Sequence, residues 1–178
     1  MSLPNQPQPV KLIIAVLYSD GDKLNAAQQL VTAAFGEIDY TGVPFAFEVT
    51  DYYESEMGSP IYRKFFGFES LITAEELTAI KLQTATFESQ LAVNGRRRVN
   101  LDPAYLDLDK LVLASFKQRA NKIYLTKGVW ADMTLYYEKG AFLPFPWSFP
   151  DFKDRRYERD FLHLRMLYKK QLRLINRP

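Results

Sequence analysis

Residues 11–18 read Lys-Leu-Ile-Ile-Ala-Val-Leu-Tyr, with no polar side chain between Lys11 and Tyr18. A half-exposed strand alternates apolar and polar positions. This run does not alternate, so it reads as a strand buried on both faces. Such a strand belongs inside a sheet, flanked by other strands that the rest of the chain must provide. Residues 43–49, 61–68, 97–101, 110–116 and 122–137 are short apolar or alternating runs separated by turn residues. That is the pattern of consecutive antiparallel strands. Pro103 is expected to end the run 97–101. Along the last, Asp132 and Thr134 are expected to share one face with Trp130 and Tyr136, because strand side chains alternate.

Between the strands lie helix signals. Ser19-Asp-Gly-Asp22 is a turn and a helix start, followed by Leu24, Ala27, Leu30, Val31, Ala34 and Phe35 at helical spacing and closed by Gly36. Thr73-Ala-Glu-Glu76 fits a capping box. Leu77, Ile80, Thr84, Phe87 and Leu91 then form one stripe, stopped at Asn94-Gly95. Past a proline- and aromatic-rich stretch, Asp151 is placed to cap a last helix. There Tyr157, Phe161, Leu164, Tyr168, Leu172 and Ile175 share a face opposite Arg156, Arg159, His163, Lys170, Arg173 and Arg177. The expected fold is α+β with a mainly antiparallel sheet. The order suggests a ferredoxin-like βαββαβ core extended by a β-meander and a C-terminal helix. Residues 1–10, with Pro4, Pro7 and Pro9, read as an extended tail, and residues 11–178 as a single domain.

The 178 residues suffice for a core without staples. There is no cysteine, which removes disulfides, thiolate catalysis and cysteine-based metal sites. His163 is the single histidine, which excludes any two-histidine mechanism. The N-terminus has no signal-peptide pattern, and no apolar stretch approaches the roughly 20 residues that span a bilayer. A cytoplasmic protein without membrane contact is the expectation. No G-x-x-x-x-G-K-[ST], G-x-G-x-x-G or G-x-S-x-G occurs, and Asn121-Lys122-Ile-Tyr124 lacks the aspartate of a guanine-reading motif. Ordinary phosphate-loop, dinucleotide-binding and serine-hydrolase readings therefore drop out.

Three polar constellations remain. Thr50-Asp-Tyr-Tyr-Glu-Ser-Glu-Met-Gly58, with Arg63 beyond it, suits a hard cation such as Mg²⁺ or acid–base work, and equally a solvated acidic loop. Asn100 and Asp102 share a strand face, or belong to a local turn. Ser115-Phe-Lys117 and Asp132-Met-Thr134 offer a lysine for an anion beside a carboxylate and a hydroxyl, or an exposed cross-strand pair. Basic residues Arg96, Arg97 and Arg98 and the last helix, where nine basic residues meet four acids from Asp151 onward, suit nucleic acid or a solvated face.

These motifs, together with Val99-Asn-Leu-Asp-Pro103, Leu113-Ala-Ser-Phe-Lys117, Lys122-Ile-Tyr-Leu125, Ala131-Asp-Met-Thr-Leu135 and Trp147-Ser-Phe-Pro-Asp151, resemble a family of small bacterial proteins labelled domain of unknown function 4416. The resemblance spans about residues 10–172. It implies no established activity. Family members tend to carry Gly, Thr, His and Glu where this chain has Ala104, Phe116, Asn121 and Asp132, so any site built there is an altered one.

The functional expectation is a polar cleft for a small anionic ligand, with turnover left open. Arg63 or Lys117 pairs with the anion. Thr50, Tyr52, Asn100 and Thr134 hydrogen-bond it. Glu56, Asp102 or Asp132 holds a cation or acts as base. With Lys117 between two close carboxylates, neutralising Asp132 is expected to leave stability unchanged or slightly raised. The rival is an RNA- or protein-binding module using sheet aromatics and the basic helix.

Overall fold

The computed structural model describes Leu3 and residues 5–175. Residues 1, 2, 4 and 176–178, and with them part of the expected tail and Arg177, lie outside the described residues. The elements run β1 (Val10–Tyr18), α1 (Gly21–Phe35), β2 (Ile38–Thr41), β3 (Phe45–Ala46), α2 (Glu54–Met57), β4 (Tyr62–Ile72), α3 (Leu77–Leu91), β5 (Val99–Leu106), β6 (Lys110–Ser115), β7 (Ile123–Thr126), β8 (Val129–Glu138), β9 (Ala141–Pro144), α4 (Pro150–Lys153) and α5 (Glu158–Ile175). The strands form one antiparallel sheet in the order β2-β4-β1-β5-β6-β8-β7, with β3 also on β4 and β9 also on β8.

The apolar run becomes β1, paired with β4 on one side and β5 on the other. Its side chains divide between two layers. Leu12, Ile14 and Val16 pack with Leu24, Ala27 and Val31 of α1 and Ile80, Phe87 and Leu91 of α3. Ile13 and Ala15 pack with Phe161, Leu164, Tyr168 and Leu172 of α5. Helices thus cover both sides of the central sheet, which is why this strand tolerates no polar position.

Local signals account for the helix ends. The Asp20 carboxylate accepts the amides of Asp22 and Lys23 at 2.9 and 3.2 Å, so Asp20 caps α1. The Glu76 carboxylate accepts the Thr73 amide at 2.6 Å, as a capping box requires. Gly67, which weakens β4 by sequence pattern, is where α5 approaches: a Cβ there would lie 2.4 Å from Leu164 Cδ2. Lys11 is fully buried. Its ammonium donates to Asp39 at 2.7 Å, to the Phe68 carbonyl at 2.8 Å and to Gln171 at 3.2 Å, tying α5 to the β2 edge. Desolvation lowers its pKa against the pull of Asp39.

Several boundaries differ from the sequence reading. The strand expected over residues 43–49 is instead β2, upstream of Gly42 and Pro44, plus the two-residue β3. The run 122–137 is two strands joined at Lys127-Gly128, both with positive φ (51° and 77°), the backbone of a tight hairpin. Asp151 does not cap α5. It lies buried in α4, 2.8 Å from Arg63 Nε, and accepts the Tyr157 hydroxyl at 3.0 Å. The regular pairing begins at Val10, one residue inside the expected tail.

A Val16→Asp change would bury an unpaired carboxylate between β1 and the α1/α3 layer. We expect a loss of about 3 kcal/mol or more in a urea denaturation series. A loss under about 1 kcal/mol would show that β1 is not central.

Candidate functional site: a fork between two strands

Strands β5 and β6 pair only over Leu106–Leu111, Tyr105–Val112 and Ala104–Leu113. Beyond Ala104 they part, although β5 stays on β1 as far as Val99 and β6 stays on β8 as far as Ser115. Pro103 is the reason. Residues two apart on a strand point their backbone groups the same way. The Leu101 amide and carbonyl point away from β1, because they meet side chains of α3. Pro103 therefore turns its missing N–H toward β6, and the ladder cannot continue. The expectation that Pro103 ends its strand is thus corrected: β5 runs on to Leu106, and it is the β5–β6 pairing that stops.

Two α3 side chains enter the fork in place of a strand. Glu88 accepts the Leu101 amide at 2.6 Å, and the Lys81 ammonium donates to the Leu101 carbonyl at 3.1 Å. Lys81 also donates to Asp102 at 2.9 Å. The Asn100 amide donates to the other Asp102 oxygen at 2.6 Å, and Arg97 donates to the Asn100 oxygen at 3.0 Å. Arg97 forms a two-pronged pair with Glu56 of α2 (2.8 and 2.7 Å) and reaches Glu88 at 3.3 Å. On the β6–β8 side, Asp132 pairs with Lys122 at 3.1 Å and accepts the Asn121 side chain at 3.1 Å. Lys122 also donates to Ser115 Oγ at 2.8 Å.

The protonation equilibria follow this wiring. Burial alone would raise the Asp102 carboxyl. The charge and hydrogen bond of Lys81, with Arg63 and Asn100, hold it below its usual range while 29% of its side chain stays exposed. Burial raises the Glu88 carboxyl despite Lys81 and Arg97. The hydrogen bond from Arg97 lowers Glu56. Burial pushes the Tyr53 phenol up to about 12.

The fork opens into a cleft of about 170 Å³. Its lining includes the expected Tyr52, Asn100, Asp102, Lys117 and Asp132, together with Lys81, Glu88, Arg119 and Lys122, which the sequence reading assigned no role, and Arg97, which it placed in a basic cluster for nucleic acid. Tyr52, Phe116 and Phe149 stand partly exposed at its mouth. Glu56 joins through Arg97. Three expected residues lie elsewhere. Thr50 accepts the Tyr52 amide in an exposed local turn. Arg63 is buried between Phe47 and Phe152 against Asp151. Thr134 is the extra residue of a bulge opposite Leu111 and Val112, and its hydroxyl donates back to the Asp132 carbonyl. That bulge also breaks the expected alternation: Leu135 packs in the core and Met133 is exposed. Of the four altered positions, Phe116 and Asp132 line the cleft and Asn121 bonds Asp132.

Among the described residues, no three His, Cys, Asp or Glu side chains gather as a metal site. Three of the carboxylates considered for a cation are engaged by protein cations: Glu56 by Arg97, Asp102 by Lys81 and Asp132 by Lys122. Among the described residues no helix is long and apolar enough to cross a membrane.

The chain belongs to the family described as a domain of unknown function, DUF4416, whose profile matches residues 8–168. No curated protein and no solved structure matches it.

The two lysines change one expectation. Lys117 does not separate Asp102 from Asp132, since each carboxylate has its own lysine. Lys122 keeps only 4% of its side chain exposed. Asp132→Asn would strip that buried ammonium of its counter-charge. The expected result is a loss of about 2–3 kcal/mol in denaturant melts, rather than the unchanged stability anticipated above. Unchanged or increased stability would mean the pair is not formed.

Proposed function

We propose that the protein binds a small anionic ligand in the fork between β5 and β6. One observation carries this reading. Every cation in the depth of the cleft is matched to a carboxylate, whereas Lys117 and Arg119, at its mouth, have no carboxylate partner among the described residues. The Lys117 ammonium lies 4.3 Å from the centre of the Tyr52 ring. A cation–π contact at an exposed position is worth about 0.5–1 kcal/mol, less than a charge-assisted hydrogen bond. An arriving anion would therefore recruit this lysine readily. The paired residues behind it hold the walls in place.

The RNA-binding alternative draws less support. Phe161 and Tyr168 of α5, and Tyr157 just before it, are buried against the sheet, so these aromatics offer no base-stacking platform. The exposed Tyr124 of β7, beside Trp130 of β8, and the basic outer face of α5 remain as its footing. We read the βαββαβ portion from β1 to β5 as ferredoxin-like, supported by the strand order β2-β4-β1-β5 with α1 and α3 on one face. We place the protein in a bacterial cytoplasm, in keeping with the family resemblance and with a chain free of cysteine.

A calorimetric panel of small anions tests the function. We expect at least one phosphate, sulfate or carboxylate compound to bind. The Lys117→Ala, Arg119→Ala double variant should lose about tenfold or more in affinity while its stability moves by less than about 0.5 kcal/mol, as exposed substitutions do. Binding that survives the double variant, or a salt-sensitive RNA complex with no small-anion response, would overturn the reading.

A further inference from the structure

The cleft's hydrogen-bonding chemistry narrows the ligand class, and this step rests on the anion-cleft reading. Ser115, at the end of β6, accepts two hydrogen bonds: from the Lys117 amide at 3.1 Å and from the Lys122 ammonium at 2.8 Å. A hydroxyl oxygen has two lone pairs, so both are engaged. Its own hydrogen has no acceptor among the described residues. An ammonium and an amide pressing on one oxygen also make the remaining O–H a stronger donor.

Lys122 has three N–H groups. One goes to Ser115 and a second lies toward Asp132, leaving at least one uncommitted. Lys81 gives two to the Leu101 carbonyl and Asp102 and keeps one. Both lysine side chains are at least nine-tenths buried, at 4% and 5% exposed. Spare donors buried this deeply are not left to bulk water. The floor of the cleft therefore presents Ser115, Lys122 and Lys81, and its mouth adds Lys117 and Arg119.

We infer that the ligand is a phosphomonoester, its phosphoryl group received by Ser115 and Lys122 with Lys117 and Arg119 closing on it from the mouth. A carboxylate carries two oxygens in one plane and a single charge. A phosphomonoester carries three terminal oxygens and close to two charges, which suits donors arriving from both the floor and the mouth. Asp102 and Asp132 do not oppose it strongly, because Lys81 and Lys122 already neutralise them. The cleft volume of about 170 Å³ is below the 300–1,000 Å³ of common ligand pockets. It suits a phosphoryl group and a short attachment, with the organic remainder lying against the exposed rings of Tyr52 and Phe116.

The test is titration calorimetry of the full chain with phenyl phosphate, phenyl sulfate and benzoate. These share a ring and differ in the oxygen count and charge of the anion. Phenyl phosphate should bind about tenfold or more tighter than either of the others. Ser115→Ala should weaken phenyl phosphate about tenfold, as loss of a hydrogen bond to a charged group does, and leave benzoate within about twofold. Ser115→Thr, which retains a hydroxyl, should restore most of the difference and leave the melting temperature near that of the native protein, whereas Ser115→Ala, which takes an acceptor from the buried Lys122 ammonium, should lower it. Phenyl sulfate or benzoate matching phenyl phosphate, or a Ser115→Ala variant that weakens all three alike, would overturn the phosphomonoester assignment. If that binding still depended on Lys117 and Arg119, the anion cleft itself would stand. Failure of all three compounds to bind would overturn the phosphomonoester assignment, and the wider anion panel above then decides whether the cleft falls with it.

Discussion

A single missing donor, the absent N–H of Pro103, shapes this molecule. In an uninterrupted sheet, β5 and β6 would pair along their whole length, and the polar residues at positions 100, 102, 115 and 132 would be dispersed over closed sheet faces. Because Pro103 points its bare nitrogen at β6, the two strands separate past Ala104. The backbone of Leu101 is left without a strand partner inside the protein. Orphaned backbone groups there would each cost about 1–3 kcal/mol, and Glu88 and Lys81 of α3 take them up. Two charged side chains are thereby drawn into the interior, and further charges follow to balance them: Asp102 against Lys81, and Arg97 between Glu88 and Glu56.

That cascade explains why a polar cleft coexists with an apolar core. The central strand β1 passes directly behind the fork, with Ala15 opposite Asp102 and Leu17 opposite Asn100. The helices on both sides of the sheet fix the two strands that diverge. α3 serves two purposes, since Ile80 and Phe87 pack into the core while Lys81 and Glu88, one position along, reach the fork. The short helix α2 is tied to the same network through Glu56, which positions Tyr52 and Tyr53 over the opening.

The elements whose signals are local were legible in the sequence. Unbroken apolarity marked β1, Asp20 and Thr73 marked helix starts, and the aromatic stripe marked α5. The cleft was half legible. Asn100, Asp102 and Asp132 stood out because they are polar at strand positions, Lys117 because it follows a strand directly, and they do line one cleft. Lys81, Glu88 and Lys122 did not stand out, because a charge on a helix or beside a turn is ordinary. What makes them unusual is a gap in a sheet formed by residues distant in sequence. Arg63 and Thr134 misled for the converse reason. Their polar groups satisfy internal needs, an ion pair with Asp151 and a bulge in β8, that pattern alone does not reveal. The Pro103 signal was present but read as a strand end, since nothing local says which neighbour a proline turns its nitrogen toward.

The account turns on side chains replacing a strand at Leu101, and amide hydrogen exchange measures this residue by residue. In the native protein the Leu101 amide should be protected along with those of Asn100 and Asp102, which face β1. In Glu88→Ala, Leu101 should lose its protection by a factor of about ten or more, while Asn100 and Asp102 stay slow. If Leu101 remained as protected as its neighbours in that variant, its amide would be held by another strand. The fork at Pro103, and the cleft built on it, would then be contradicted.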